Sequence, residues 1–145
     1  MQLVIIDLVP ALLSWEGRDS SGSPEAAAGA LDAIGDLFTH FRLTAIADGD
    51  WTGAQVREAL ERLDLAPYFE SVGTSAGFGP MVTPRVIRRI AAALRSTGNA
   101  IVVTGRPGLA ADLGQIGIPA VLVDRHSLAE VPDRVYRLAG GRLSP

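Results

Sequence analysis

The sequence contains neither cysteine nor lysine; its 13 basic residues are all arginine. Without cysteine there can be no disulfide and no thiolate metal site. Without lysine, every reaction that needs a lysine side chain is excluded. Positive charge is scarce as well: 16 acidic residues against 13 basic give a net charge of −3. That balance argues against non-specific nucleic-acid binding, which needs a basic surface. No stretch approaches the ~18 uninterrupted apolar residues of a membrane span. The apolar opening, MQLVIIDLVPALLSW, lacks a basic flank and carries Asp7 at its centre, so it does not read as a secretory signal. The expectation is a cytoplasmic protein with neither membrane nor nucleic acid as partner. What is present is a chain of 145 residues, 48% apolar. That is the length of one domain, able to bury roughly two-thirds of its unfolded surface without staples.

Short apolar runs alternate with amphipathic segments, the pattern of repeated β-α units. Strands are expected at Leu3–Asp7, Leu43–Ala47, Ser71–Gly73, Ala100–Thr104 and Ala120–Asp124. Three of them are apolar on both faces, as a covered parallel sheet requires. A first helix is expected to open at Ser23-Pro24-Glu25, with serine as cap and proline in the first turn. Its apolar stripe would be Ala27, Ala30, Leu31, Ile34, Leu37 and Phe38. A second helix opens at Trp51 or Thr52 and turns Val56, Leu60 and Leu63 inward. The third starts near Thr83-Pro84 with Val86, Ile87, Ile90, Ala91 and Leu94 inward, and the fourth runs from Pro107 to Gln115. The tail reads as a final strand over Arg134–Leu138 on its valine and tyrosine, with a helix as the alternative. The result is one α/β domain with a central, mainly parallel sheet of five or six strands.

In such folds ligands sit beyond the carboxyl ends of the strands. Polar residues and glycines gather there: Asp7, then Asp48-Gly49-Asp50, Thr74–Gly79, Thr104-Gly105-Arg106-Pro107-Gly108 and Asp124-Arg125-His126. Asp7, Asp48 and Asp50 offer carboxylate oxygens for a hard cation, though Asp-Gly-Asp is also ordinary turn and cap chemistry. Thr104, Gly105, Arg106 and Gly108 frame a strand-to-helix turn that could receive an anion, or simply make a tight glycine turn. His40 and His126 have no partner at metal-ligand spacing. Arg85, Arg88, Arg89 and Arg95 give the third helix a basic face, either solvated or a docking patch for an acidic partner. Trp15, Trp51 and Phe78 fall near the strand ends, where aromatics cover a core edge or join an interface.

The order of these motifs resembles the haloacid dehalogenase (HAD) superfamily over nearly the whole chain, from Leu3 to about Val123. The family opens with an apolar strand and Asp-x-Asp-Gly-Thr-Leu; here Val4-Ile-Ile-Asp-Leu-Val-Pro-Ala-Leu-Leu13 stands in that place. Leu63-Asp-Leu-Ala-Pro-Tyr-Phe-Glu-Ser-Val72 closely matches the family phrase ahead of the third strand. Gly79-Pro-Met-Val-Thr-Pro-Arg-Val-Ile87 and Ile101-Val-Val-Thr-Gly-Arg-Pro-Gly108 follow in the family's order. The resemblance implies a three-layer, Rossmannoid HAD-like domain over 1–145 without a cap, the polar loop 16–23 standing in the cap position. Most family members are magnesium-dependent phosphatases, and the resemblance also locates what is missing. Asp7 holds the position of the attacking carboxylate. Val9 replaces the acid/base, Ala47 the phosphate-binding Ser or Thr, and Met81 the lysine. Thr104, or Arg106 in a shifted alignment, replaces the magnesium-binding acid.

These losses imply a degenerate, catalytically inactive HAD-like protein that works as a binding, regulatory or assembly subunit. Its partner would be another protein or a second copy of itself, and no cofactor is expected. The alternatives are a weak HAD-type hydrolase using Asp7, with Mg2+ on Asp7, Asp48 and Asp50, and a small-anion sensor using the Thr104–Gly108 loop.

Overall fold

Leu3–Asp7 (β1) is apolar up to its last residue, and all five residues are buried. A strand with no polar face cannot sit at an edge or against water, so it takes the middle of a sheet. The computed structural model describes residues 2–14, 24–49, 51–74, 82–96, 100–124 and 128–140. In it the chain continues with a short helical segment Leu8–Ala11 (α1), broken by an extended Val9, then β2 (Leu13–Ser14), β3 (Glu25–Ala26) and α2 (Ala30–Phe38). Then come β4 (Arg42–Ala47), α3 (Gly53–Arg62), β5 (Ser71–Thr74), α4 (Pro84–Ala93) and β6 (Ile101–Thr104). The described chain closes with α5 (Pro107–Gln115), β7 (Ala120–Leu122) and α6 (Val131–Leu138).

Five strands form one sheet in the order β5-β4-β1-β6-β7, every neighbouring pair parallel. Alternation along β1 then sets the layers. Val4 and Ile6 pack with Ile34 and Leu37 of α2, Val56 and Leu60 of α3, and Val131 and Val135 of α6. Leu3 and Ile5 point the other way, to Ile87 of α4 and Leu109 and Leu113 of α5. The result is the expected three-layer α/β architecture with a central parallel sheet of five strands. Each large aliphatic side chain buried this fully contributes roughly 1.5–3 kcal/mol.

Two expected elements differ. The first helix does not open at Ser23-Pro24-Glu25. Glu25 and Ala26 pair antiparallel with Ser14 and Leu13, and the Ala27 amide donates to the Leu12 carbonyl. The chain turns only at Gly29, whose φ of 83° suits glycine, and the helix begins at Ala30. Its buried stripe also differs from the expected one: Ala30, Ala33, Ile34 and Leu37 are buried, while Leu31 and Phe38 are nearly half exposed. The tail, in turn, is a helix rather than a strand. Leu128, Val131 and Val135 recur at helical spacing and are all buried, and Pro132 sits in the first turn where its missing N–H costs nothing. The Tyr136 ring packs between Phe41 and His40, and its hydroxyl donates to the Asp36 carboxylate.

α3 has the expected start. Thr52 accepts from the Gln55 amide while the Gln55 side chain accepts from the Thr52 amide, a reciprocal capping box. Trp51 is buried in the core, its ring lying over Gly49, where a Cβ would meet the ring at 2.3 Å. It is therefore a core-edge residue, not an exposed interface aromatic. Trp15, Phe78, His126 and the loop 16–23 lie outside the described residues.

Candidate functional site

At the carboxyl edge of the sheet, the ends of β1, β4 and β6 bring four of the candidate residues together. Asp7 ends β1 and Thr104 ends β6, and both are fully buried. The Thr104 hydroxyl accepts from the Arg106 backbone amide at 3.1 Å, so its single proton is left for Asp7 Oδ2 at 2.8 Å. That local turn places Arg106 as the residue before α5, with its side chain folded back across the strand ends.

The guanidinium of Arg106 then meets three oxygens from separate segments. Nε lies 3.3 Å from Asp7 Oδ2. Nη1 donates to Asp48 Oδ2 at 2.8 Å, and Nη2 donates to the Val9 carbonyl at 3.2 Å. Asp48 Oδ2 also accepts from the Val82 amide at 3.3 Å, so it joins the loop before α4 to the same cluster. Asp48 is thus neither a helix cap nor a plain turn residue, since Thr52 caps α3. Gly105 permits this closure: a Cβ there would stand 3.2 Å from both the Ala11 amide nitrogen and Pro10 Cγ.

Asp7 is the electrostatic centre. Burial pushes its carboxyl up, the Arg106 guanidinium and the Thr104 hydroxyl pull it back, and Asp48 pushes it up again, leaving it at about 6. Its Oδ1 is buried and has no hydrogen-bond partner among the described residues. Arg106 remains partly exposed, so the cluster lies just beneath the surface.

The other expected positions fall as follows. Val9 contributes only its backbone carbonyl, an apolar side chain having no proton to move. Ala47 is buried at the end of β4, paired with Thr74 of β5. Gly108 lies exposed in the first turn of α5. Asp50 and Met81 lie outside the described residues. Among the described residues no three or more His, Cys, Asp or Glu side chains are grouped to hold a metal ion. Every member of the Asp7–Asp48–Thr104–Arg106 cluster is legible in the sequence, but its wiring is not. The unusual arginine directly after a Thr-Gly turn was the available signal.

The fold is like that of solved HAD-superfamily hydrolases. No family model matches the chain, and no curated protein matches it by sequence. Solved structures do match. A haloacid dehalogenase-like family hydrolase from Streptococcus pneumoniae has a TM-score of 0.70 at 11% identity, covering 98% of this chain and 99% of its own. A second hydrolase, from Streptococcus pneumoniae TIGR4, has a TM-score of 0.69 at 17% identity, over 91% of this chain and 98% of its own. A HAD-superfamily hydrolase from Ehrlichia chaffeensis has a TM-score of 0.71 at 10% identity, over 96% and 99%. Likeness at such identities carries the fold; activity must be argued from the site itself.

Proposed function

We propose that this HAD-like chain is not a phosphatase and that it acts through binding, as a regulatory or assembly subunit for another protein or a second copy of itself. The observation that carries this reading is the sealed carboxylate. Asp7, which holds the position of the attacking group, has no exposed surface, and its Oδ2 is taken by Thr104 and Arg106. A nucleophile must reach the phosphorus atom, and this one faces a guanidinium instead.

Magnitudes support the same reading. Phosphoryl transfer rests on positioning and charge neutralisation. Losing one such stabiliser costs on the order of 10²–10³ in rate, and losing the acid/base costs about 10²–10⁴ more. The anion-sensor alternative is disfavoured by geometry, because the cation it would use is already committed to two carboxylates. A hydrolase using Asp7 would first have to displace that cation.

An aryl-phosphate assay in magnesium, run on the native chain and Asp7→Asn, tests the proposal. The expected result is no turnover above buffer for either. Turnover by the native chain that disappears in Asp7→Asn would restore the hydrolase reading. The binding half is tested by purifying the tagged chain from its own cells. A stoichiometric complex or a stable oligomer is expected, and a clean monomer in repeated preparations argues against it.

A further inference from the structure

Metal dependence is the property that a HAD-like fold most readily suggests, and the residues here do not fit a metal. We propose that the Arg106 guanidinium is a resident cation standing where a divalent ion would otherwise bind, so that this site is closed to metal and independent of it. Each of its three nitrogens meets a different oxygen: Asp7 Oδ2, Asp48 Oδ2 and the Val9 carbonyl. Carboxylate and carbonyl oxygens converging from several segments are the donor set that a hard cation prefers. Here a planar, permanently charged side chain takes them.

The arginine is held at both ends. Its backbone amide is fixed to Thr104, and the turn at Gly105 is packed closely against α1, where a Cβ would stand 3.2 Å from the Ala11 amide nitrogen. Asp7 Oδ1, buried and without a hydrogen-bond partner among the described residues, does not rescue a metal site. An ion held there would lie beside the guanidinium on the other oxygen of the same carboxylate, and like charges repel. A covalently attached cation cannot be removed by a chelator or diluted away. The ends of β1, β4 and β6 therefore stay joined whatever the metal supply. This inference rests on the closed-site reading of the function, but it concerns metal binding rather than turnover.

The test begins with the native chain titrated with Mn2+ and followed by the electron spin resonance of the free ion. The expected free-ion signal matches that of buffer. A saturable loss of signal that Asp7→Asn abolishes would overturn the proposal. The second arm removes the cation. Arg106→Ala should melt several degrees below the native chain in chelator. It should then recover part of that loss in millimolar MgCl2 but not in NaCl of equal ionic strength, while the native chain stays flat. An Arg106→Ala protein with no magnesium-specific recovery would refute the substitution. If it does not fold, Arg106→Gln serves with the same readout, and the Mn2+ titration of the native chain still decides. A native chain whose Mn2+ binding is abolished by Asp7→Asn, yet which turns over no phosphate ester, would overturn this inference alone. One that hydrolyses the ester without any metal would overturn only the functional reading.

Discussion

Asp7 carries a cost that the rest of the sheet does not. A carboxyl with a pKa near 6 in the fold and near 3.8 in a free chain holds its proton to higher pH when folded. Its contribution to stability is therefore complete below about pH 4 and is lost as pH rises through about 6. The size of that loss is roughly 3 kcal/mol, at 1.36 kcal/mol per pKa unit. Asp7→Asn keeps the shape and removes the titration. Urea unfolding of both chains between pH 4 and 8 should show the native chain losing stability relative to the variant as pH rises. Parallel profiles would mean that Arg106 and Thr104 offset the burial fully. Asp7 was legible in the sequence as the odd residue of an apolar strand, but its pKa was not. That value depends first on burial, which raises it, and then on Arg106 and Thr104, nearly a hundred residues away, which pull it back.

Among the elements, the turn from β6 into α5 concentrates the most constraint. Its backbone approaches α1 at Gly105, where an added Cβ would press on the Ala11 amide nitrogen and on Pro10 at 3.2 Å. Gly105→Ala should therefore cost about 1–3 kcal/mol, read as a lower urea midpoint with an unchanged slope. An unaltered midpoint would show that α1 can move aside, and with it the Val9 carbonyl that Arg106 uses. The strands were legible because apolar runs such as Ile101–Val103 admit little else between their flanking turns. The helix boundaries were less so. Ser23-Pro24-Glu25 has the chemistry of a helix start, yet pairing of Glu25 and Ala26 with β2 outweighs it. Local propensity loses to a tertiary partner that sequence spacing does not reveal. The tail shows the converse error: valine and tyrosine suggested a strand, but the i, i+4 pair Val131 and Val135 had already specified a buried helical stripe.

The molecule as a whole is organised around a strand near its beginning. β1 pairs with β4, reached some forty residues later, and with β6, where Val4 lies opposite Ile101. Parallel pairing across such separations requires long loops to close before the contacts that offset them exist. Refolding from urea, followed by stopped-flow tryptophan fluorescence through the buried Trp51, should accordingly take milliseconds to seconds rather than microseconds. A microsecond phase carrying the full amplitude would contradict that expectation. The same topology has a consequence during synthesis. Until Ile101–Thr104 has left the ribosome, the largely apolar β1 can be paired along one edge only, and its other edge offers a row of open backbone donors and acceptors. Such an edge invites pairing with other chains. The nascent protein is thus most prone to aggregate after β4 has emerged and before β6 has, an interval set by the pace of translation.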